Sequence, residues 1–278
     1  MKENIDSKTY EQIREHYKIE KELARRLRDS TREERRRLYT AVYDELFRRL
    51  PHHPILTRKR DAHATQQTIR AQMRLLKRFL GPTSTFLELG PGDCSLAFEV
   101  ATHVRHVYAV DVSPELTRSA TTPKNFTLTI SDGCTIPLPA NSVDFAYSNQ
   151  LMEHLHPDDA LEQLHDIYRV LVSGGMYLCV TPNRLSGPHD VSRHFDRIAT
   201  GFHLREYTNT ELDSLFREVG FRMTRVCIGL KGRFALTDVR AARWCESVLC
   251  RLPQSLRRRA SSTFPIPSVL GIRLLAVK

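Results

Sequence analysis

The sequence predicts an α/β fold: a mostly parallel, seven-stranded sheet with helices on both faces, preceded by a helical N-terminal extension. Three observations predict it. Beyond residue 84, short apolar runs alternate with amphipathic stretches, the rhythm of β-α-β crossover units. Before that point, apolar residues recur at spacings of three and four and no strand pattern is present. Between the two regions, Phe86-Leu87-Glu88-Leu89 passes directly into a turn with two glycines.

Each element follows in order. Leu23, Leu27, Leu38, Tyr39, Val42, Tyr43, Leu46, Phe47 and Leu50 form one apolar helical face within a highly charged segment that ends at Pro51 and Pro54. Residues 1–65 are therefore read as a helical cap, a lid or a dimerisation element. A second helix carries Leu75, Leu76, Phe79 and Leu80 and stops at Gly81-Pro82. The main domain, 66–278, then has strands at Phe86–Leu89, Val107–Asp111, Phe126–Ile130, Val143–Ser148, Met176–Val180, Arg222–Ile228 and Val269–Val277. Helices are expected at Ser95–Thr102, from Ser113-Pro114 onward, at Pro157–Leu171, at Asn209–Val219 with Thr208 or Thr210 as cap, and at Val239–Leu252. The stretch 184–207 interrupts this order and is read as a substrate loop.

Composition narrows the function classes. A chain of 278 residues with 41% hydrophobic content can bury one large core. No apolar run approaches the roughly 18–20 residues of a membrane helix. The polar start, Met1-Lys2-Glu3-Asn4, is unlike a secretory leader, so a cytoplasmic protein is expected. The six cysteines form no C-x-x-C pair, which argues against a zinc ribbon or a dithiol centre. The net charge of +10 is scattered, apart from Arg35-Arg36-Arg37 and Arg257-Arg258-Arg259. Neither run is interleaved with aromatics that stack on bases, so nucleic acid is not expected as partner.

The chemistry concentrates at strand carboxyl ends, where open α/β sheets bind ligands. Glu88, Leu89, Gly90, Pro91 and Gly92 form the first turn, and the two glycines allow a ligand to approach the backbone. Ser95 stands where the dinucleotide motif G-x-G-x-x-G would have its last glycine, which argues against a nicotinamide oxidoreductase. Asp111, followed by Val112, ends the second strand, 19 residues after Gly92, where a carboxylate accepts hydrogen bonds from ribose hydroxyls. Asp132-Gly133 follows the third strand, and Asp132 is either an adenine partner or simply a turn residue. Asn149 follows the fourth, in Ser148-Asn149-Gln150-Leu151-Met152-Glu153-His154.

This series resembles the class I, Rossmann-like S-adenosylmethionine-dependent methyltransferases, in particular the group related to ubiquinone and menaquinone methyltransferases and small-molecule O-methyltransferases. The likeness covers about residues 84–230. It extends to Val180-Thr181-Pro182-Asn183 and to Phe202-His203-Leu204-Arg205-Glu206-Tyr207-Thr208. The resemblance implies S-adenosylmethionine as cofactor, with Glu88 and Gly90 near the methionine moiety, Asp111 on the ribose and Asp132 on the adenine. It implies a small-molecule acceptor, with oxygen as the favoured methylated atom, in a biosynthetic or tailoring pathway. One departure is Cys94, where the family often has a third glycine.

Candidate bases for an oxygen acceptor are His154, His189, His194 and His203, with Asp190 as a possible partner. Arg184, Arg193, Arg197 and Arg205 surround the same loop and suit an anionic acceptor. A metal held by His189, Asp190 and His194 fits no strong motif, so no metal is expected. The rival readings are an RNA or protein methyltransferase, favoured by the charge, and a non-catalytic cofactor-binding protein that assembles through its N-terminal helices.

Overall fold

A computed structural model describes residues 9–51, 53, 62–113, 122–230 and 233–278. The helix expected to start at Ser113-Pro114 lies outside the described residues beyond Ser113, as does Pro54. Eight strands form one sheet: β1 (Thr85–Leu89), β2 (His106–Asp111), β3 (Phe126–Ile130), β4 (Val143–Asn149), β5 (Leu171–Thr181), β6 (Met223–Leu230), β7 (Arg233–Asp238) and β8 (Ile272–Val277). Their order is β3-β2-β1-β4-β5-β8-β6-β7. The pairs from β3 to β5 are parallel, whereas β8, β6 and β7 join antiparallel. The sheet thus has one strand more than the seven expected. The additional strand, β7, is a half-exposed edge whose apolar pattern is short and broken by Arg233 and Thr237, so its sequence resembles a loop.

The order reverses between β1 and β4. This places the ends of β1, β2 and β4 around one cleft. The central strand β1 is buried on both faces: all five of its residues are buried. Among the described residues, nine helices surround the sheet: α1 (Tyr10–Asp29), α2 (Arg32–Arg49), α3 (Ala62–Leu76), α4 (Ser95–Ala101), α5 (Pro157–Val170), α6 (Asn209–Val219), α7 (Val239–Cys250), α8 (Gln254–Ser261) and α9 (Ile266–Leu270). Thr208 caps α6 in a reciprocal box, accepting from Glu211 N at 3.1 Å while its own N–H reaches the Glu211 carboxylate at 2.8 Å.

The N-terminal segment is two helices rather than one. Ser30 and Thr31 break it, and Thr31 caps α2 through a second box with Glu34. Their shared apolar face belongs to the main core. Leu23, Leu27, Val42 and Leu46 pack in one cluster with Leu87, Leu89 and Val110 of the sheet. Each such buried leucine contributes roughly 2 kcal/mol. Polar groups fix the docking. Arg35, within the basic run, reaches Asp159 of α5 with two bonds, Nε at 2.6 Å and Nη2 at 2.8 Å, and both side chains are buried. Tyr39 donates to the same carboxylate at 2.7 Å and accepts from His156 N at 3.0 Å. Arg36 pairs with Glu162. Two of the three arginines of that run therefore bind this chain's own carboxylates.

Candidate functional site

The cleft at the sheet's carboxyl edge holds a cavity of about 300 Å³. That is the size of one small organic ligand. Its floor comes from Leu89, Gly90, Val110 and Asp111, and its roof from Tyr39, Tyr43 and Phe47 of α2.

The β1 turn is built for close approach. Gly90 has φ +64°, and a Cβ there would lie 3.1 Å from Leu151 Cδ1. Gly92 has φ +58° and open space beside it, so its backbone angle alone favours glycine. Pro91 is buried, and its carbonyl accepts from Cys94 N at 3.0 Å, closing the turn. Cys94 itself stands at the N-cap of α4 with φ +59° and is fully buried. The helix has not begun there, so this cysteine holds the left-handed angle that glycine takes without cost. The substitution is strained by roughly 1–2 kcal/mol.

Beneath the turn, Glu88 is buried, and its Oε2 has no hydrogen-bond partner. Burial, then the neighbouring Asp93 and Asp111, push its pKa up to about 8. Glu88 lies behind the turn and is not among the residues that line the cavity. Asp111 lines the cavity, and its Oδ1 accepts from Val112 N at 2.7 Å, so the carboxylate is held in place. Val112 and Gly133 line the cavity next to it. Asp132 does not. Its Oδ1 caps the turn by accepting from Cys134 N at 3.0 Å and Thr135 N at 2.7 Å, and Arg36 lies 3.5 Å from its Oδ2. Of the two readings of this residue, the structure realises the turn, because a short carboxylate beside an Asp-Gly turn meets the local N–H groups first. The N-terminal roof is bolted to this half of the site: Thr40 donates to the Val112 carbonyl at 2.7 Å and Ser113 to Asp44 at 3.0 Å.

At the other end, Asn149 and His154 line the cavity beyond β4. His154 Nδ1 lies 2.9 Å from the Phe202 carbonyl. A carbonyl only accepts, so the proton sits on Nδ1 and Nε2 keeps its lone pair. Burial lowers the His154 pKa to about 3, which keeps the ring neutral. Tyr43 meets Phe202 edge-on at 5.2 Å, and His154 meets His203 likewise at 5.0 Å. Burial pulls His203 down, but Glu206, at 2.7 Å, and Glu153 outweigh it and raise the pKa to about 9. Glu153 is buried beside them. Its Oε2 accepts from Thr181 at 2.8 Å, and its Oε1 has no partner.

The remaining candidate residues lie elsewhere. His189 contacts Ser186 at 3.0 Å and the Asn183 carbonyl at 3.1 Å, away from the cavity, and His194 is exposed. Asp190 caps the turn at 191–194 and accepts from Gly201 N at 2.9 Å. These three do not converge on a metal. Among the described residues, the groups whose ligand atoms lie within 4.8 Å of one another are Glu153–His154–His203, His16–Glu20–His53 and Cys134–Asp159–Glu162. Arg184 pairs with Glu211 at 2.8 Å and Arg205 lies over the Tyr207 ring at 5.0 Å, so neither faces the cavity. Glu153 and its partner Thr181 are absent from the candidates read from sequence. A lone acid inside an apolar run, Leu151-Met152-Glu153, is the signal that points to it.

Comparison with known proteins agrees with this arrangement. Residues 87–179 match the family described as the methyltransferase domain. A probable S-adenosylmethionine-dependent methyltransferase of Mycolicibacterium smegmatis is 36% identical over 88 residues, 32% of each chain. One of Mycobacterium tuberculosis is 35% identical over 92 residues, 33% of this chain and 31% of that one. The chain thus matches about a third of the length of these relatives.

Among solved structures, the complex between the Haloferax volcanii Trm112 methyltransferase activator and a putative methyltransferase is similar at TM-score 0.55 and 17% identity, covering 79% of this chain and 93% of that one. A Haemonchus contortus phosphoethanolamine N-methyltransferase, solved with phosphomonomethylethanolamine and S-adenosylhomocysteine, is similar at TM-score 0.51 and 20% identity, covering 74% and 53%. At such identities these structures bear on the fold. The glycine turn, the strand-end Asp111 and the family match over 87–179 coincide in one segment, which is similar to the methyltransferase domain of relatives named as S-adenosylmethionine-dependent.

Proposed function

We propose that the chain transfers a methyl group from S-adenosylmethionine to an oxygen of a small-molecule acceptor. The observation that carries this reading is the roofed cavity: Tyr39, Tyr43 and Phe47 cover it, and His154 presents an unprotonated Nε2 at the end away from Gly133.

The bound cofactor supplies an electrophilic methyl on a sulfonium. The chain's residues do the rest. The orphaned Glu88 carboxyl takes the ammonium end through solvent or directly, and Asp111 takes the ribose hydroxyls. Gly90 lets the backbone lie against the ligand. Val112, Gly133 and Ile136 flank the base. At the acceptor end, His154 Nε2 would accept the acceptor's O–H and take that proton as the oxygen–methyl bond forms and the sulfonium–methyl bond breaks. A ring neutral at every physiological pH serves this hydrogen bond without prior deprotonation. Tyr43 and Phe47 exclude water.

Calorimetry on the wild type and Asp111→Ala tests the cofactor half. Micromolar binding lost in the variant supports it, and no binding to folded wild type refutes it. Tritium transfer from labelled cofactor to hydroxylated small molecules, RNA and protein tests the acceptor half. Label on RNA or protein alone would displace this reading. With a small acceptor, Tyr43→Ala raises its KM more than that of the cofactor.

A further inference from the structure

Behind the aromatic roof, three side chains converge that the cofactor chemistry does not use. His16 and Glu20 lie one turn apart on α1, so they share a face. His53 arrives from the turn after α2, held by its N–H on the Leu50 carbonyl at 2.8 Å. His16 Nε2 is 2.7 Å from Glu20 Oε1, and His53 Nε2 is 3.6 Å from the same oxygen. The two imidazoles meet edge to face at 5.1 Å. All three residues are more than nine-tenths buried, at 8%, 5% and 8% exposure. The other Glu20 oxygen accepts from Phe202 N at 3.2 Å, which orients the carboxylate.

Two ligands at i and i+4 on one helix, with a third from elsewhere, is the layout of many helix-borne zinc sites. Imidazole nitrogen with one carboxylate suits zinc-class ions. Magnesium and calcium call for oxygen ligands throughout. The cluster Cys134–Asp159–Glu162 offers less, because Asp159 is spent on Arg35 and Tyr39.

We propose that His16, Glu20 and His53 bind one divalent ion of the zinc class, which ties α1 and the turn after α2 to the loop carrying Phe202. The site is structural, since none of its three ligands lines the cavity. Its reach is nevertheless functional. His53 packs on Phe47 at 5.8 Å, and Phe202 supplies the carbonyl that holds His154. An ion here sets the roof and the imidazole together. This depends on no property of the cofactor site, so it stands or falls separately from the methyl-transfer reading.

The full chain, stripped by chelator, is titrated with Co²⁺ and followed by visible d–d absorption, then challenged with Zn²⁺. One Co²⁺ per chain is expected, displaced by Zn²⁺. His16→Gln and His53→Gln are each expected to weaken binding by about 100-fold or more, as loss of a ligand does. His203→Gln is expected to bind as the wild type does. Three results overturn the proposal: no uptake by folded wild type, uptake unchanged in both ligand variants, or uptake lost only in His203→Gln, which places the ion at Glu153–His154–His203. Should the ligand variants not fold, carbethoxylation of the wild type decides. Zn²⁺ should shield His16 and His53, and equal labelling with and without it refutes the site.

Discussion

Removing the guanidinium of Arg35 tests how the N-terminal helices are held over the cofactor. In Arg35→Met the Asp159 carboxylate, fully buried, loses both guanidinium bonds and keeps Tyr39 as a side-chain donor. Breaking a buried pair by removing one partner costs about 3–5 kcal/mol, because a charge stays behind without compensation. An exposed pair would cost at most about 1 kcal/mol. At roughly 2–4 °C per kcal/mol for a chain of this size, the melting temperature should fall by roughly 10 °C. The double variant Arg35→Met/Asp159→Leu should recover most of this loss, since an apolar pair of similar volume replaces the ionic one. Both variants should bind S-adenosylmethionine more weakly, because Tyr39 and Thr40 on the same helix touch the cavity and the Val112 carbonyl. Urea unfolding and calorimetry read the two effects. A loss below about 1 kcal/mol in the single variant would refute the reasoning, as would a double variant no more stable than the single.

Glu88 predicts a pH-dependent affinity. Its pKa is raised to about 8 in the free chain, so the carboxyl is protonated at neutral pH, and its contribution to the free fold is lost as pH rises through that value. A cationic ligand end favours the ionised form, so cofactor affinity should rise up to about tenfold per unit below pH 8 and level off above it, with proton release on binding. Calorimetry in buffers of different ionisation enthalpy measures this, and Glu88→Gln should abolish the dependence. Gly90→Ala places a Cβ 3.1 Å from Leu151 Cδ1 at φ +64°, and should lower cofactor affinity at least about tenfold while costing about 1–2 kcal/mol of stability. His154→Gln should lower kcat by about 100-fold or more with cofactor binding unchanged in titration. An equal loss of affinity would move His154 to the cofactor's side.

Much of this fold is legible in the sequence. Short apolar runs and glycine stops locate the central strands, because strands buried on both faces in a parallel sheet are nearly continuous apolar runs. The glycine turn and Asp111 were legible because backbone approach and strand-end position impose residue type. Other features were not. Asp132 has the right sequence position, yet which way a short carboxylate turns depends on N–H groups two and three residues on. His154, His189 and His194 look alike in sequence. Only the fold shows that β4 delivers the first to the cavity while the other two stay on their own loop. The tie between Arg35 and Asp159 spans 124 residues and leaves no local trace. The N-terminal helices were legible as a cap, a lid or a dimerisation element, but the residues by which they join the main core were not.

The position of β8 has a consequence for how the chain is made. The hairpin of β6 and β7 reaches the sheet only through β8, the last strand in sequence. A growing chain that has not yet released Ile272–Val277 leaves open edges on β5 and on β6, both of which pair with β8 in the finished sheet. Three of the eight strands, β6, β7 and β8, must therefore wait for synthesis to reach those six residues, and a nascent chain held short of them is open to strand exchange with its neighbours on the same message.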